Sequence, residues 1–348
     1  MEMIGVTIGV LSVFILAMLV ILLSLAVYIS RQYERKRRLI VQKNACLNKI
    51  LPIWHDYLVK DQEADLTELA PASKIEFEVT ERILLSYVKN FSNREIQAKV
   101  KEFANQFLKD YYSAFLKSKK WSLRMNAFYR IADFQMDSLL DVCRMQEEKG
   151  CSREELQQIY KIYALLDIEN LAAKLRTEQE SLGESGYRSL FNILSENDLK
   201  QIVTLFEEFP QKCKLAILDT LGYQRLTDYM PLFERQLLSR DQEMRIRSLK
   251  AIYETGWVVS PAQFLHFVES PIWEERLLVT KLLGRLPLEE TYPYLKQLLE
   301  DPSWWVRAEA AKTIGKMKTG KEKLLEFINH TSDQYAREMA NEILKKGM

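Results

Sequence analysis

A basic residue recurs at a nearly constant interval along this chain of 348 residues, and no other feature constrains the fold more strongly. From Arg307, equal steps backward along the chain reach three more basic residues, and a forward step that is one position shorter reaches a fourth. An aliphatic residue follows each of them seven positions later, and a more distant copy of the pattern surrounds Arg124. The recurring basic positions, which we call the basic ladder, are Arg124, Lys214, Arg245, Arg276, Arg307 and Arg337. A fixed period in the range of about 20–50 residues is typical of stacked repeat units that share one extended core.

Each period contains the signals for two helices. In DPSWWVRAEAAKTIG (301–315), Asp, Pro and Ser are residues that begin helices, and the final Gly is one that ends them. Val306 and Ile314 lie on one face of this helix at helical spacing. Pro231 and Pro293, which are two periods apart, mark the following helix in two different units. We therefore predict that each unit consists of a first helix (helix A), a turn, a second helix (helix B) and a turn.

This pattern resembles the HEAT-repeat family, including the bacterial HEAT-like repeats. The stretches that carry the resemblance are DPSWWVRAEAAKTIGKM, SPIWEERLLVTKLLGRL and DQEMRIRSLKAIYETG. The similarity is strongest over 210–348, extends to 121–150, and is reduced to a rhythm of helix pairs over 151–209. The resemblance implies an all-α fold, a right-handed α-solenoid of antiparallel helix pairs. It implies no catalytic residues, and it suggests that each ladder residue pairs with acidic or carbonyl groups of the adjoining turn.

Three tryptophans stand at one position of the repeat. Trp121, Trp273 and Trp304 each lie three positions before a ladder residue. One interpretation is an aromatic row that binds a partner; the other is packing at the turn between repeats. We favour packing, because aromatic side chains supply a large buried area.

The N-terminal segment 1–30 differs from the rest of the chain. Positions 3–30 carry no charged side chain, and this run is longer than the about 20 apolar residues that span a bilayer. The cluster RQYERKRR (31–38), with five basic residues and one acidic residue, follows. We therefore predict an uncleaved transmembrane helix with the N-terminus outside, since basic residues remain on the cytoplasmic side. Gly5 and Gly9 form a G-x-x-x-G motif, which offers a weak route to a homodimer.

Composition excludes several classes of function. The net charge is +1, and outside the cluster at 31–38 the chain is nearly neutral. It therefore lacks the excess of positive charge expected of a nucleic-acid-binding protein. The cysteines form no C-x-x-C motif and the histidines are far apart, so we expect neither a metal site nor a cofactor. These residues are Cys46, Cys143, Cys151, Cys213, His55, His266 and His330.

We divide the chain into a transmembrane anchor (1–30), a basic juxtamembrane helix (31–59), a helical N-terminal region (60–119) and a repeat stack (120–348) that is regular from about residue 197. The function we predict is a scaffold tethered to a bacterial cell membrane, with its repeats in the cytoplasm binding a protein partner. One alternative is an accessory subunit of a membrane enzyme or transporter, for example a glycosyltransferase, and another is a HEAT-like enzyme.

We expect the partner to contact the exposed face of successive B helices, because that face is free of packing between repeats. The positions assigned to it by helical spacing are Tyr229, Arg235, Glu290, Tyr294 and Gln297.

Overall fold

The computed structural model describes residues 2–91, 93–177, 182–256 and 261–346, with side chains almost throughout from residue 16 onward. Within these ranges the regular structure is helical and contains no β-strand. The predicted all-α class is therefore confirmed. The chain forms two compact units, Met1–Ile162 and Tyr163–Met348.

Unit 1 begins with one long helix against which shorter helices pack. Its helices are α1 (Glu2–Val59), α2 (Leu66–Leu69), α3 (Lys74–Asn90), α4 (Arg94–Phe103), α5 (Lys109–Leu116), α6 (Trp121–Phe134), α7 (Leu140–Glu148) and α8 (Arg153–Leu166), the last of which continues into unit 2. A π-helical segment, Ala104–Leu108, joins α4 to α5. Trp54 of α1 is fully buried and meets Phe103 edge-to-face with ring centroids 4.7 Å apart. Apolar contacts of this kind give unit 1 its own core.

The prediction of a membrane anchor is wrong for the part of the chain that the structure describes, because none of its helices is long and apolar enough to cross a membrane. Positions 3–15 of the uncharged run lie outside the residues whose side chains are described. The basic cluster follows in the same helix without a break. The predicted single-pass localisation, with the N-terminus outside and the repeats in the cytoplasm, is therefore also wrong for the described residues. Gly5 and Gly9 lie outside the residues whose side chains are described.

Unit 2 is built from the predicted helix pairs. Its helices are α9 (Ile168–Thr177), α10 (Gly183–Phe191), α11 (Glu196–Thr204), α12 (Gln211–Tyr223), α13 (Met230–Leu237), α14 (Gln242–Thr255), α15 (Trp273–Leu283), α16 (Leu288–Leu299), α17 (Trp304–Lys316), α18 (Gly320–His330) and α19 (Gln334–Lys346). The A helices are α12, α14, α15, α17 and α19, and each of the first four packs against the next one. The helices α13, α16 and α18 are B helices between them. Between α14 and α15, two short 3-10 helices, Pro261–Gln263 and Leu265–Glu269, occupy the place of helix B. This repeating packing is that of an α-solenoid.

Glycines permit close contact between successive A helices. A Cβ atom added to Gly222 would lie 2.7 Å from the Cα of Ala251 in the next A helix. At the equivalent positions, a Cβ on Gly284 would lie 2.6 Å from Thr313 Cγ2, and one on Gly315 would lie 2.5 Å from a methyl group of Ile343. Carbon atoms in contact are separated by about 3.5–4.0 Å. At these three positions a side chain would clash with the next A helix, whereas α14 carries Tyr253 at the equivalent position.

Candidate protein-interaction surfaces

The arginines of the basic ladder donate hydrogen bonds to the turn that precedes their own helix. Arg245 Nη1 donates to the carbonyl oxygens of Ser239 at 2.9 Å and Arg240 at 3.1 Å. Arg124 binds the carbonyls of Ser118 and Lys119 in the same way, at 3.0 and 3.2 Å. The other arginines do the same at one or both positions: Arg276 to Ser270, Arg307 to Asp301 and Pro302, and Arg337 to Thr331. Since a helix end leaves carbonyls without helical partners, these contacts tie helix A to the end of the preceding unit.

Two of the arginines also bind a buried carboxylate of the next helix A. Arg124 Nε donates to Glu155 Oε1 at 2.7 Å, and Arg245 Nε donates to Glu275 Oε1 at the same distance. Glu155 and Glu275 are only 2% and 1% exposed. Burial by itself raises the pKa of Glu155, but hydrogen bonds from Arg124 and Ser152 outweigh it, and the pKa lies below its ordinary value. Charge-assisted hydrogen bonds of this kind connect one repeat to the next.

Arg276 binds its carboxylate by a different route. Its Nε and Nη2 atoms donate to the two oxygens of Asp301, at 2.6 and 2.9 Å, and Asp301 lies in the turn before α17. The hydrogen bond to Asp301 is the main cause that raises the pKa of Arg276. Asp301 also accepts from the backbone N–H of Ser303 at 2.7 Å. One carboxylate therefore joins α15 to the start of α17.

The remaining ladder residues make weaker contacts. Lys214 Nζ lies 3.3 Å from the exposed carboxylate of Glu207. Arg307 has its guanidinium carbon 5.4 Å from the ring centre of Tyr335, and its Nε is buried without a hydrogen-bond partner among the described residues. The contacts of the ladder thus range from the bidentate ion pair of Arg276 with Asp301 to the single hydrogen bond that Arg337 donates to the carbonyl oxygen of Thr331.

The B-helix residues singled out from the sequence are only in part at the surface. Glu290 and Gln297 are exposed on α16, and Tyr294 between them is half-buried. Arg235 is exposed on α13 and its Nη2 lies 3.3 Å from Glu207 Oε1. Tyr229 is half-buried; burial raises the pKa of its hydroxyl, whose oxygen has no hydrogen-bond partner among the described residues. The structure thus places three of these residues on α16 and two at α13.

A second surface, which the expectation of packed tryptophans missed, lies at the N-terminal ends of the A helices. Trp304 and Trp305 begin α17 and are 50% and 59% exposed, with ring centroids 4.8 Å apart. Trp273 begins α15 and is 37% exposed, and Tyr335 in the first turn of α19 is 67% exposed. We call these four residues the aromatic edge. Their recurrence before the ladder arginines is the sequence signal that locates it. In unit 1, Trp121 is also exposed, and its indole donates to Ser152 Oγ at 3.2 Å.

The described residues include no cluster of three or more His, Cys, Asp and Glu side chains suited to hold a metal ion. Cys143 and Cys213 are buried and form no disulfide bond among the described residues, and burial raises the pKa of Cys143 to about 12. A thiol in this state is a poor nucleophile, because the thiolate is the reactive form.

Comparison with known proteins agrees with this architecture. Residues 261–345 match the family of HEAT repeats. The expected resemblance is therefore confirmed over this segment, and HEAT repeats suggest a protein-interaction scaffold. An engineered protein of known crystal structure is similar over 81% of this chain and 93% of its own length, at 14% identity and a TM-score of 0.36. No curated protein matches the sequence.

Proposed function

We propose that this protein is a protein-interaction scaffold, and that the aromatic edge of unit 2 is its principal contact with a protein partner. The observation that carries the proposal is the exposure of Trp304, Trp305 and Tyr335 at the ends of adjacent A helices. Exposed neighbouring aromatic residues are unusual on a surface that meets only water, and they are frequent where a protein meets a partner.

Energetic considerations favour this edge as a binding surface. Trp, Tyr and Arg are the residues most enriched among those that dominate binding energy. The guanidinium carbon of Arg307 lies 5.4 Å from the ring centre of Tyr335, and Nη1 of the same arginine donates a hydrogen bond to the carbonyl oxygen of Asp301. An aromatic side chain supported in this way loses little conformational freedom when it is covered, so binding costs little entropy.

The B-helix surface remains a second proposed location for the same function. Glu290, Tyr294 and Gln297 are spaced to lie along one face of α16, and Tyr229 and Arg235 lie at α13. These side chains are polar or half-buried, with less exposed apolar area than the aromatic edge. We therefore rank them below Trp305 and Tyr335.

The test is photo-cross-linking with the full chain. A photoreactive phenylalanine analogue replaces Tyr335 in one variant and Tyr294 in another, and each protein is irradiated in an extract of its source organism. A specific protein adduct from position 335 that is absent from position 294 supports the proposal. An adduct formed only from position 294 moves the contact to the B helices, and the absence of any specific adduct from both positions contradicts a scaffold that uses either surface.

A further inference from the structure

The opposite ends of the A helices carry a second recurrence of basic residues. Lys250, Lys281 and Lys312 are spaced by the same repeat period and lie in α14, α15 and α17. Lys250 is followed four positions later by Glu254, and the two side chains lie 3.7 Å apart. Its counterpart Lys281 is followed at the same spacing by Arg285. The position that holds the acid Glu254 in one repeat therefore holds a second cation, Arg285, in the next.

Lys281 and Arg285 line an open groove of about 670 Å³ between α15 and α17. Its lining includes the cations Lys281, Arg285, Lys316 and Lys318 and the carboxylates Glu289 and Glu309. Glu309 is already paired with Lys312 at 3.1 Å. Among the described residues, none of the four cations has a carboxylate within ion-pairing distance. We call this region the basic groove.

Two of these cations, Lys281 and Arg285, lie near the ring of Tyr253. The guanidinium carbon of Arg285 lies 4.9 Å from the ring centre of Tyr253, and Lys281 Nζ lies 5.9 Å from the same centre. Arg285 lies in the turn just after α15, so the two like charges approach the same ring from the end of the helix and the following turn, and the ring compensates their repulsion only in part. Basic residues near helix C-termini do gain from the helix dipole, but that gain does not require them to converge on a single groove.

The remaining lining favours a peptide over a polyphosphate or a nucleic acid. Apolar atoms of Leu286, Pro287 and Met317 border the cations, and a polyanion has no side chains to cover them. Glu289 adds a negative charge that repels a uniformly anionic ligand. A peptide that alternates acidic and apolar residues satisfies both parts of the lining, because carboxylates match the fork of Arg285 and apolar side chains cover Met317.

We propose that the basic groove binds an acidic segment of a protein partner, with carboxylates neutralising Lys281, Arg285 and Lys316. This inference rests on the proposed scaffold function and assigns it a partner chemistry at a site separate from the aromatic edge. Binding relieves the repulsion within the repeats, so occupancy and stability of unit 2 are linked.

The experiment measures fluorescence anisotropy of a labelled peptide of alternating Glu and Leu with the full-length protein, against the same peptide carrying Gln for Glu. The test variant is Lys281→Gln/Arg285→Gln/Lys316→Gln. The matched control, Arg240→Gln/Lys296→Gln/Lys345→Gln, removes three exposed cations elsewhere in unit 2.

We expect the acidic peptide to bind and the Gln peptide not to bind, and we expect the test variant to weaken binding by about tenfold while the control variant does not. Equal weakening by both variants would show attraction by overall charge and would overturn the site. Tighter binding of inorganic tripolyphosphate than of the peptide would overturn the choice of ligand. Cross-linking from position 335 in the test variant separates the two proposals. If the adduct still forms in a variant that no longer binds the peptide, the aromatic edge contacts its partner independently of the basic groove.

Discussion

Arg276 and Asp301 are joined by two parallel hydrogen bonds, from Nε to Oδ2 at 2.6 Å and from Nη2 to Oδ1 at 2.9 Å. The pair links α15 to the turn that begins α17, and Asp301 is only 6% exposed. The same arginine donates to the carbonyl of Ser270 at 2.6 Å. One side chain therefore ties together three successive segments of the stack.

Replacing Arg276 by Ala should destabilise unit 2 by about 2–3 kcal/mol, because the buried Asp301 loses its partner. Arg307→Ala should cost less, since Arg307 binds carbonyls but no carboxylate in the described structure. Lys318→Ala, at an exposed position, is the control and should change the free energy by less than about 0.5 kcal/mol. Urea unfolding of the full chain measures all three. Equal and negligible losses would mean that the ladder does not stabilise the stack.

The buried pair in unit 1 predicts a dependence of stability on pH. The pKa of Glu155 is lower in the folded protein than its ordinary value of 4.5. The contribution of this group to stability is therefore present above pH 4.5 and is lost as the pH falls through the depressed folded pKa. Glu155→Gln removes this contribution, so the variant should be less stable at neutral pH and should lose less stability on acidification. Unfolding curves at pH 7 and at a pH below the ordinary value check this, and parallel losses in both proteins would contradict it.

The glycine contacts predict a clash that a second substitution relieves. Gly284→Ala places a methyl group 2.6 Å from Thr313 Cγ2, and such overpacking costs about 1–3 kcal/mol. Thr313→Ser removes that methyl group, so Gly284→Ala/Thr313→Ser should recover most of the loss. Thr313→Ser alone is the control. Thermal unfolding measures the series, and an additive result for the double variant would show that the two side chains are not in contact.

The sequence predicted the helix pairs because their signals are local: Pro302 and Ser303 begin a helix, and the apolar stripe of α17 follows at helical spacing. The carboxylate partners of the ladder were not predictable by position. Glu275 lies 30 residues after Arg245, whereas Asp301 lies 25 residues after Arg276. Only the packed repeats determine which acid reaches the guanidinium.

The exposure of the tryptophans could not be predicted from the sequence either. Spacing placed Trp304 at the start of helix A, but whether its ring is covered depends on the neighbouring turn, and its ring is 50% exposed.

The replacement of one helix B by 3-10 helices at Pro261–Glu269 could not be predicted either, because a short irregular segment leaves no periodic pattern. The recurrence of Lys250, Lys281 and Lys312 at the repeat period was present in the sequence, but its meaning depends on which carboxylates lie beside each lysine.

Binding of a protein partner at the aromatic edge is tested by the affinity of Trp305→Ala/Tyr335→Ala for the partner identified by cross-linking. Both side chains are more than half exposed, so unfolding free energy should change by less than about 1 kcal/mol. If they dominate the interface, the dissociation constant measured by calorimetry should rise by about 30-fold or more, since such residues contribute about 2 kcal/mol or more. Tyr294→Ala/Gln297→Ala is the matched control and should bind normally. An unchanged dissociation constant for the folded Trp305→Ala/Tyr335→Ala protein would show that the aromatic edge is not the principal contact with the partner.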